Sequence, residues 1–147
     1  MIERLALAFE RAPGLAERVA ARAREGDVDA IVAAARDELA RLSEAERISV
    51  LNAHPRIGAD AVSLSLHSRR EQGAAADALT TRELTALNDE YERHFGFRFV
   101  VFVNGRPKAE LVPVLRARLL RTRSQELGSG IEEFLAIARD RLERIRT

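Results

Sequence analysis

The sequence predicts an all-α fold, in which a single compact domain spanning residues 1–147 contains about seven to eight short helices and one extended non-helical connector at about 97–103. Leu, Ala, Glu and Arg dominate the chain, and all four residue types favour helices. Apolar residues recur at helical spacing, and Pro, Gly or a capping residue accounts for nearly every interruption. The sequence contains no internal repeat, low-complexity tract or linker, so we expect one domain.

The composition indicates a soluble globular protein and argues against several functions. Hydrophobic residues make up 46% of the chain and charged residues 32%. A net charge of +1 gives no field typical of binding to nucleic acid or an anionic membrane. The absence of Cys excludes a disulfide framework, a thiol nucleophile and a Cys-based zinc site. Because no apolar run could span a membrane and the N-terminus lacks a signal-peptide pattern, we expect a cytoplasmic protein.

The first part of the chain contains four predicted helices separated by turn residues. They are expected at residues 2–11, from Pro13 to about 24, at about 28–42 after an Asp27 cap, and at about 44–53. Ser43-Glu44-Ala45-Glu46 is a capping-box pattern at the start of the fourth helix. That helix should end at His54, since the proline at position 55 disfavours the α conformation in the residue before it.

Two further capping-box patterns follow an irregular stretch. The first, Ser68-x-x-Glu71, predicts a helix to about residue 78. The second, Thr80-x-x-Glu83, predicts a longer helix that ends near His94.

The last two predicted helices occupy about residues 108–121 and 124–146. Pro113 should lie in the first turn of the earlier helix or kink it. Gly128 and Gly130 should weaken the start of the later helix by about 1 kcal/mol each relative to Ala.

Residues 97–103 form the apolar run FRFVVFV, which propensity alone predicts as a strand. No second strand is predicted to pair with it, and an isolated strand is not stable. We therefore expect a buried extended connector whose backbone groups need other partners, a ligand being one candidate. Phe95, Phe97 and Phe99 are expected to pack in the core or, alternatively, to form the wall of an apolar pocket.

His54 is the first candidate for chemistry, because its imidazole sits at a helix exit on backbone stiffened by Pro55. The alternative is an ordinary structural or solvated histidine. His94 is expected to be structural or exposed. A metal site built from His54, His67 and Asp60 would lack an HExxH or i,i+4 His pair, so we predict no metal.

Two further groups of residues have both a structural and a functional interpretation. Ser68-x-x-Glu71-Gln72 is complete as a capping box, but a glutamate there can also orient an imidazole. Arg139 and Arg141 lie late in the last helix, where an arginine usually complements the helix dipole and is exposed. We find nothing local that separates them from the other arginines.

Four short motifs occur in a fixed order along nearly the whole chain. They are HPxIG at 54–58, SxxEQ at 68–72, NxxYxxxFGFxFV at 88–100 and IxxxRL at 137–142. Together they closely resemble the 2-oxo-4-hydroxy-4-carboxy-5-ureidoimidazoline (OHCU) decarboxylase family of urate breakdown. The resemblance implies an all-α homodimer that acts on a small-molecule substrate without a metal or organic cofactor.

The resemblance also implies roles for individual residues. His54 matches the family's catalytic histidine, Glu71 its essential glutamate and Arg141 its substrate-binding arginine. Its implied reaction is the decarboxylation of OHCU to (S)-allantoin and CO2, with His54 as general acid and base. The implied substrate-lining positions are Pro55, Ser68, Arg69, Arg70, Gln72, Phe99, Val100, Val101, Phe102 and Val103.

The chain departs from the family pattern at three places. Arg98 stands where many members have proline, Arg56 stands where some have aspartate, and the Gly128-Ser129-Gly130 stretch is unusual for the last helix. We expect Arg98 and Arg56 to change loop shape or substrate access without touching the catalytic positions. Two other functions stay open, a noncatalytic all-α ligand- or protein-binding module and nucleic-acid binding through the arginines, although the near-neutral charge argues against the second.

Overall fold

The computed structural model describes residues 5–6, 8–9, 14–24, 26–57 and 78–145, and within these ranges the chain is helical with no strand. This confirms the predicted all-α class. Residues 5–6 and 8 are helical and belong to the first predicted helix, whereas the helix predicted at 68–78 lies almost entirely outside the described residues. The helices are α1 (Leu15–Ala20), α2 (Val28–Arg41), α3 (Glu44–Ala53), α4 (Ala78–Phe95), α5 (Lys108–Leu119) and α6 (Arg123–Ile145).

The predicted caps of α2 and α3 are present. The side chain of Asp27 accepts a hydrogen bond from the Ala30 N–H at 3.0 Å. Ser43 and Glu46 form a reciprocal capping box, with Ser43 Oγ 3.2 Å from the Glu46 nitrogen and Glu46 Oε1 3.0 Å from the Ser43 nitrogen. Local sequence therefore determines where α3, the helix that leads to His54, begins.

Two predicted boundaries differ from the structure, and one of the two alternatives for Pro113 is excluded. The helix predicted to reach residue 24 ends at Ala20. The capping-box prediction at Thr80-x-x-Glu83 is wrong, because Ala78 and Leu79 are already helical and Thr80 lies inside α4. Ala78 and Leu79 are good helix formers, and they extend the helix before the threonine. Pro113 lies inside α5, beyond its first turn.

The helices pack in pairs around an apolar core. α1 packs on α2, both α2 and α3 pack on α6, and α4 packs on α5. Gly130 has a role in this packing, because a Cβ there would lie 2.9 Å from Leu51 Cδ1. The residue predicted only to weaken α6 therefore permits the close approach of α3. In the described part of the chain, no helix is both long and apolar enough to cross a membrane.

The connector at 97–103 is neither helix nor strand, as predicted, and five of its seven side chains are buried. Its backbone groups bind side chains from the rest of the chain in place of a neighbouring strand. Arg118 Nη1 donates to the Val100 carbonyl at 2.6 Å, and Arg106 Nη2 donates to the Phe102 carbonyl at 2.6 Å. Asn52 Oδ1 accepts from the Arg98 N–H at 2.9 Å. Polar side chains, rather than a ligand, satisfy these groups.

Candidate active site

His54 lies at the exit from α3, where the sequence predicted it. α3 ends at Ala53, and His54 is the C-cap residue with φ −78° and ψ 136°. Its N–H donates to the Leu51 carbonyl at 3.1 Å, and the residue is only 8% exposed. The extended conformation is the one that a following proline favours. A titratable imidazole is thus buried on backbone of restricted conformation.

Helix α4 holds the chain immediately after His54. Asn88 Nδ2 donates to the Ile57 carbonyl at 3.1 Å, and Arg56 lies 2.6 Å from Asp89 Oδ1. The Arg56 Nε atom is also 2.6 Å from Glu92 Oε2. Arg56 therefore pairs with two carboxylates of α4. These pairs accommodate an arginine at a position where some family members have aspartate.

Arg98 contacts the candidate catalytic residue directly, contrary to the expectation from sequence. Its Nη1 donates to the His54 carbonyl at 3.2 Å. The sequence could not show this, because the two residues are separated by 44 positions and meet only through the packing of the connector against the α3 exit. Arg98 also lines an open cavity of about 320 Å³ together with Asn52, Glu92, Gly96 and Phe97.

The structure separates Arg141 from Arg139, which the sequence analysis did not. Arg141 is fully buried, with its Nη1 3.5 Å from the Ala8 carbonyl. Arg139 has a side chain that is 41% exposed and lies 2.7 Å from Asp29 Oδ1. Helical spacing could have found the difference, because residue 141 lies three positions after the buried Ala138 and on the same face. The usual arrangement of a late arginine, exposed and complementing the helix dipole, applies to Arg139 but not to Arg141.

The phenylalanine rings pack in the core. Phe95, Phe97 and Phe99 are each at most 2% exposed and surround Tyr91, with ring centroids 4.6, 6.0 and 5.3 Å from its own. This agrees with the core interpretation of their side chains. His94 is exposed and lies edge-on to Phe95, in agreement with its predicted role.

A buried polar cluster of Tyr91, Arg118 and Glu126 was missed by the sequence analysis. Glu126 is fully buried, and its Oε1 lies 2.7 Å from Arg118 Nε and 2.7 Å from the Tyr91 hydroxyl, which donates to it. Burial and the hydrogen bond to Glu126 raise the pKa of Tyr91. The three residues come from three helices, so no local spacing connects them.

The remaining predicted site residues lie in the segment 58–77, outside the described residues. They include the essential glutamate Glu71, the lining residues Ser68, Arg69, Arg70 and Gln72, and the metal candidates His67 and Asp60. The roles given to them stay predictions. Among the residues that are described, no group of three or more His, Asp or Glu could hold a metal ion.

Comparisons with known proteins agree with the motif analysis. A protein-family model for OHCU decarboxylase matches residues 1–143. A 2-oxo-4-hydroxy-4-carboxy-5-ureidoimidazoline decarboxylase from Halalkalicoccus jeotgali is 26% identical over 93% of this chain and 80% of its own length. A uric acid degradation bifunctional protein from Bacillus sp. (strain TB-90) is 30% identical over 70% of this chain. The matched region is only 21% of that longer protein.

Two solved structures share the fold. A crystal structure of OHCU decarboxylase in the presence of (S)-allantoin superposes with a TM-score of 0.77 over 99% of this chain and 97% of that one, at 21% identity. A crystal structure of (S)-allantoin synthase gives a TM-score of 0.73 over 97% of this chain and 48% of that one, also at 21% identity. With a family model that matches nearly its whole length, this chain belongs to the OHCU decarboxylase family.

Proposed function

We propose that this chain decarboxylates OHCU to (S)-allantoin and CO2 in urate breakdown. The observation that carries the proposal is the buried imidazole of His54, fixed at the α3 exit in a chain that belongs to the OHCU decarboxylase family. Imidazole exchanges protons near neutral pH, and a fixed backbone aims it at one face of a bound substrate.

The reaction needs positioning and proton transfer rather than an electron-accepting cofactor. When the carbon–carbon bond to the carboxylate breaks, CO2 leaves and its bonding electron pair moves into the substrate's own imidazoline ring. The ring nitrogen that receives the pair takes up a proton from water. The 4-hydroxyl then loses its proton to become a carbonyl, and a ring carbon gains a proton on one face. His54 can take the hydroxyl proton and supply the one that carbon gains, as a general base and then a general acid.

The other predicted residues have complementary roles in this proposal. Glu71 orients the imidazole and stabilises its charged form. Arg141 holds the carboxylate or a ring oxygen through its two-pronged guanidinium. Ser68 and Gln72 bind the ureido arm, and the connector residues Phe99, Val100, Val101, Phe102 and Val103 exclude water. Pro55, Arg69 and Arg70 complete the substrate lining. Full burial of Arg141 supports its part, because a buried guanidinium is costly without a specific role.

The proposal is tested by generating the unstable substrate freshly from urate. Formation of (S)-allantoin is then followed by circular dichroism, with and without the purified protein. We expect the protein to accelerate formation of the S enantiomer above spontaneous decay. A rate equal to spontaneous decay would reject the proposed function.

The role of His54 is tested by His54→Ala, for which the exposed His94 offers a matched control as His94→Ala. Removal of a general acid and base typically reduces the rate by about 10²–10⁴-fold. We therefore expect His54→Ala to lose turnover on that scale while its helical circular dichroism is unchanged, and His94→Ala to retain wild-type kcat. Near wild-type turnover in folded His54→Ala would show that the histidine is not catalytic.

We further propose that the protein is a cytoplasmic homodimer. The support is the family resemblance and two exposed leucines, Leu79 at 64% and Leu120 at 89%. Both lie at the same end of the α4–α5 pair, since Arg116 of α5 contacts Glu83 of α4 at 3.1 Å. Sedimentation equilibrium should give twice the chain mass, and Leu120→Glu should weaken the dimer if this end forms its interface. A monomeric wild-type protein would reject the dimer.

A further inference from the structure

We propose that Arg98 is a positioning residue for His54, so that its guanidinium holds the imidazole where the reaction needs it. This inference rests on the proposed function, because it assumes that the orientation of His54 controls turnover. Arg98 does not act on the substrate in this proposal. It acts on the backbone that carries the imidazole.

Arg98 binds the α3 exit at two points. Its N–H donates to Asn52 Oδ1 at 2.9 Å, and its Nη1 donates to the His54 carbonyl at 3.2 Å. One residue of the connector therefore bridges the last turn of α3 and the first residue beyond it. A proline at position 98 would have neither donor. Any other residue keeps the N–H, so the bond to the His54 carbonyl is the one that depends on the guanidinium.

The bond to the His54 carbonyl restrains the backbone from which the side chain projects. The carbonyl position sets ψ of His54, and ψ sets the orientation of the peptide plane relative to Cβ. The residue's N–H is already held by the Leu51 carbonyl at 3.1 Å. With both polar backbone groups of His54 bound, the imidazole starts from a single backbone geometry.

Different contacts hold the residues that follow His54, which distinguishes their role from that of Arg98. Arg56 pairs with Asp89 and Glu92, and Ile57 is bound by Asn88, all on α4. These contacts keep the chain after the histidine in place when Arg98 is replaced. Loss of the guanidinium should then reorient His54 locally without unfolding the α3 exit.

The test compares Arg98→Met, Arg98→Lys and a control, Arg116→Met. Methionine keeps the apolar stem but removes all donors, whereas lysine keeps a cation that can donate to the carbonyl. Arg116 is an exposed arginine of α5 that pairs with Glu83 of α4. A misplacement of about 1 Å can cost up to about 100-fold in rate.

We expect Arg98→Met to lower kcat by about 10-fold with KM changed less than about 2-fold, since the defect lies in the chemical step. Arg98→Lys should recover most of the loss, and Arg116→Met should match wild type. Unchanged kcat in Arg98→Met, or a loss that lysine does not restore, would overturn the positioning role.

A second readout separates this inference from the proposed function. The imidazole NMR signals of His54, assigned by their absence in His54→Ala, should shift in Arg98→Met and not in Arg116→Met. If they shift but the wild-type protein has no decarboxylase activity, the positioning contact stands and the proposed function fails. If the wild-type protein is active and Arg98→Met leaves both kcat and these signals unchanged, the inference fails.

Discussion

Two buried polar regions of this molecule are built in opposite ways. In the Tyr91–Arg118–Glu126 cluster the side chains bind one another. At the α3 exit the contacts hold the main chain of His54 through its N–H and carbonyl. The first arrangement joins three side chains to one another, whereas the second restrains the main chain that carries the imidazole. Burial of a titratable group therefore does not by itself indicate function, since Glu126 is buried as well as His54.

The cluster supports the connector. Arg118 Nη1 binds the Val100 carbonyl at 2.6 Å, and its guanidinium carbon lies 4.5 Å from the centre of the Phe99 ring. Glu126 balances that cation and also lies 3.0 Å from Arg121. The ion pair therefore holds in place one of the side chains that bind the connector backbone where a sheet partner would otherwise be needed.

The largest effect that should separate the two regions is on stability. Glu126→Gln leaves the buried Arg118 without its counter-charge, so we expect the free energy of unfolding to fall by about 3–5 kcal/mol in urea titrations. Glu132→Gln is the control, because its pair with Arg36 is exposed and should contribute less than about 1 kcal/mol. The kcat of folded Glu126→Gln should stay within about 2-fold of wild type. Equal stability of the two variants would contradict the structural role of the cluster.

The contact between α6 and α3, which joins the two regions, should have a smaller effect on stability. Gly130→Ala would place a Cβ 2.9 Å from Leu51 Cδ1, where α6 meets α3. Overpacking of this kind typically costs about 1–3 kcal/mol, and we expect a loss in that range by urea unfolding.

Gly128→Ala is the matched control on the same helix, because a Cβ there meets nothing within 4 Å. It should stabilise the protein by up to about 1 kcal/mol, as alanine favours a helix over glycine. If both substitutions stabilised the protein, the Leu51 side chain would be able to move away from the new Cβ, and the α3–α6 contact would not require glycine.

These contrasts also show how much of the molecule the sequence could predict. The class, the connector and the α3 boundaries were predicted because they depend on local signals, such as the Ser43–Glu46 box and the proline after His54. The start of α4 was predicted wrongly, since the same S/T-x-x-E pattern can lie inside a helix when good helix formers precede it.

The place of His54 at the end of α3 was predictable, but the contacts that hold it there were not. The contact between Arg98 and His54 depends on how the connector packs on α3, and the pair of Arg118 with Glu126 joins two helices. No periodicity encodes either contact. The burial of Arg141, by contrast, was available from its register on the apolar face of α6.

The smallest predicted effect depends on pH and tests how closed the polar cluster is. Burial and the hydrogen bond to Glu126 raise the pKa of the Tyr91 hydroxyl above its ordinary value of about 10. Below about pH 10 the tyrosine is protonated in both states and stability does not depend on it. Above that pH the unfolded chain loses the proton while the folded chain keeps it, so the free energy of unfolding should fall as pH rises, by at most about 1.4 kcal/mol per pH unit.

Tyr91→Phe should lack this alkaline slope, although it is less stable at neutral pH because it loses the bond to Glu126. The chain has one Tyr and no Trp, so tyrosinate absorbance reports on this residue alone. We expect the absorbance to rise only together with loss of helical circular dichroism. A titration near pH 10 in a protein that stays helical would show that water reaches the hydroxyl. The cluster would then be open, and its contrast with the α3 exit would rest on the ion pair of Arg118 and Glu126 alone.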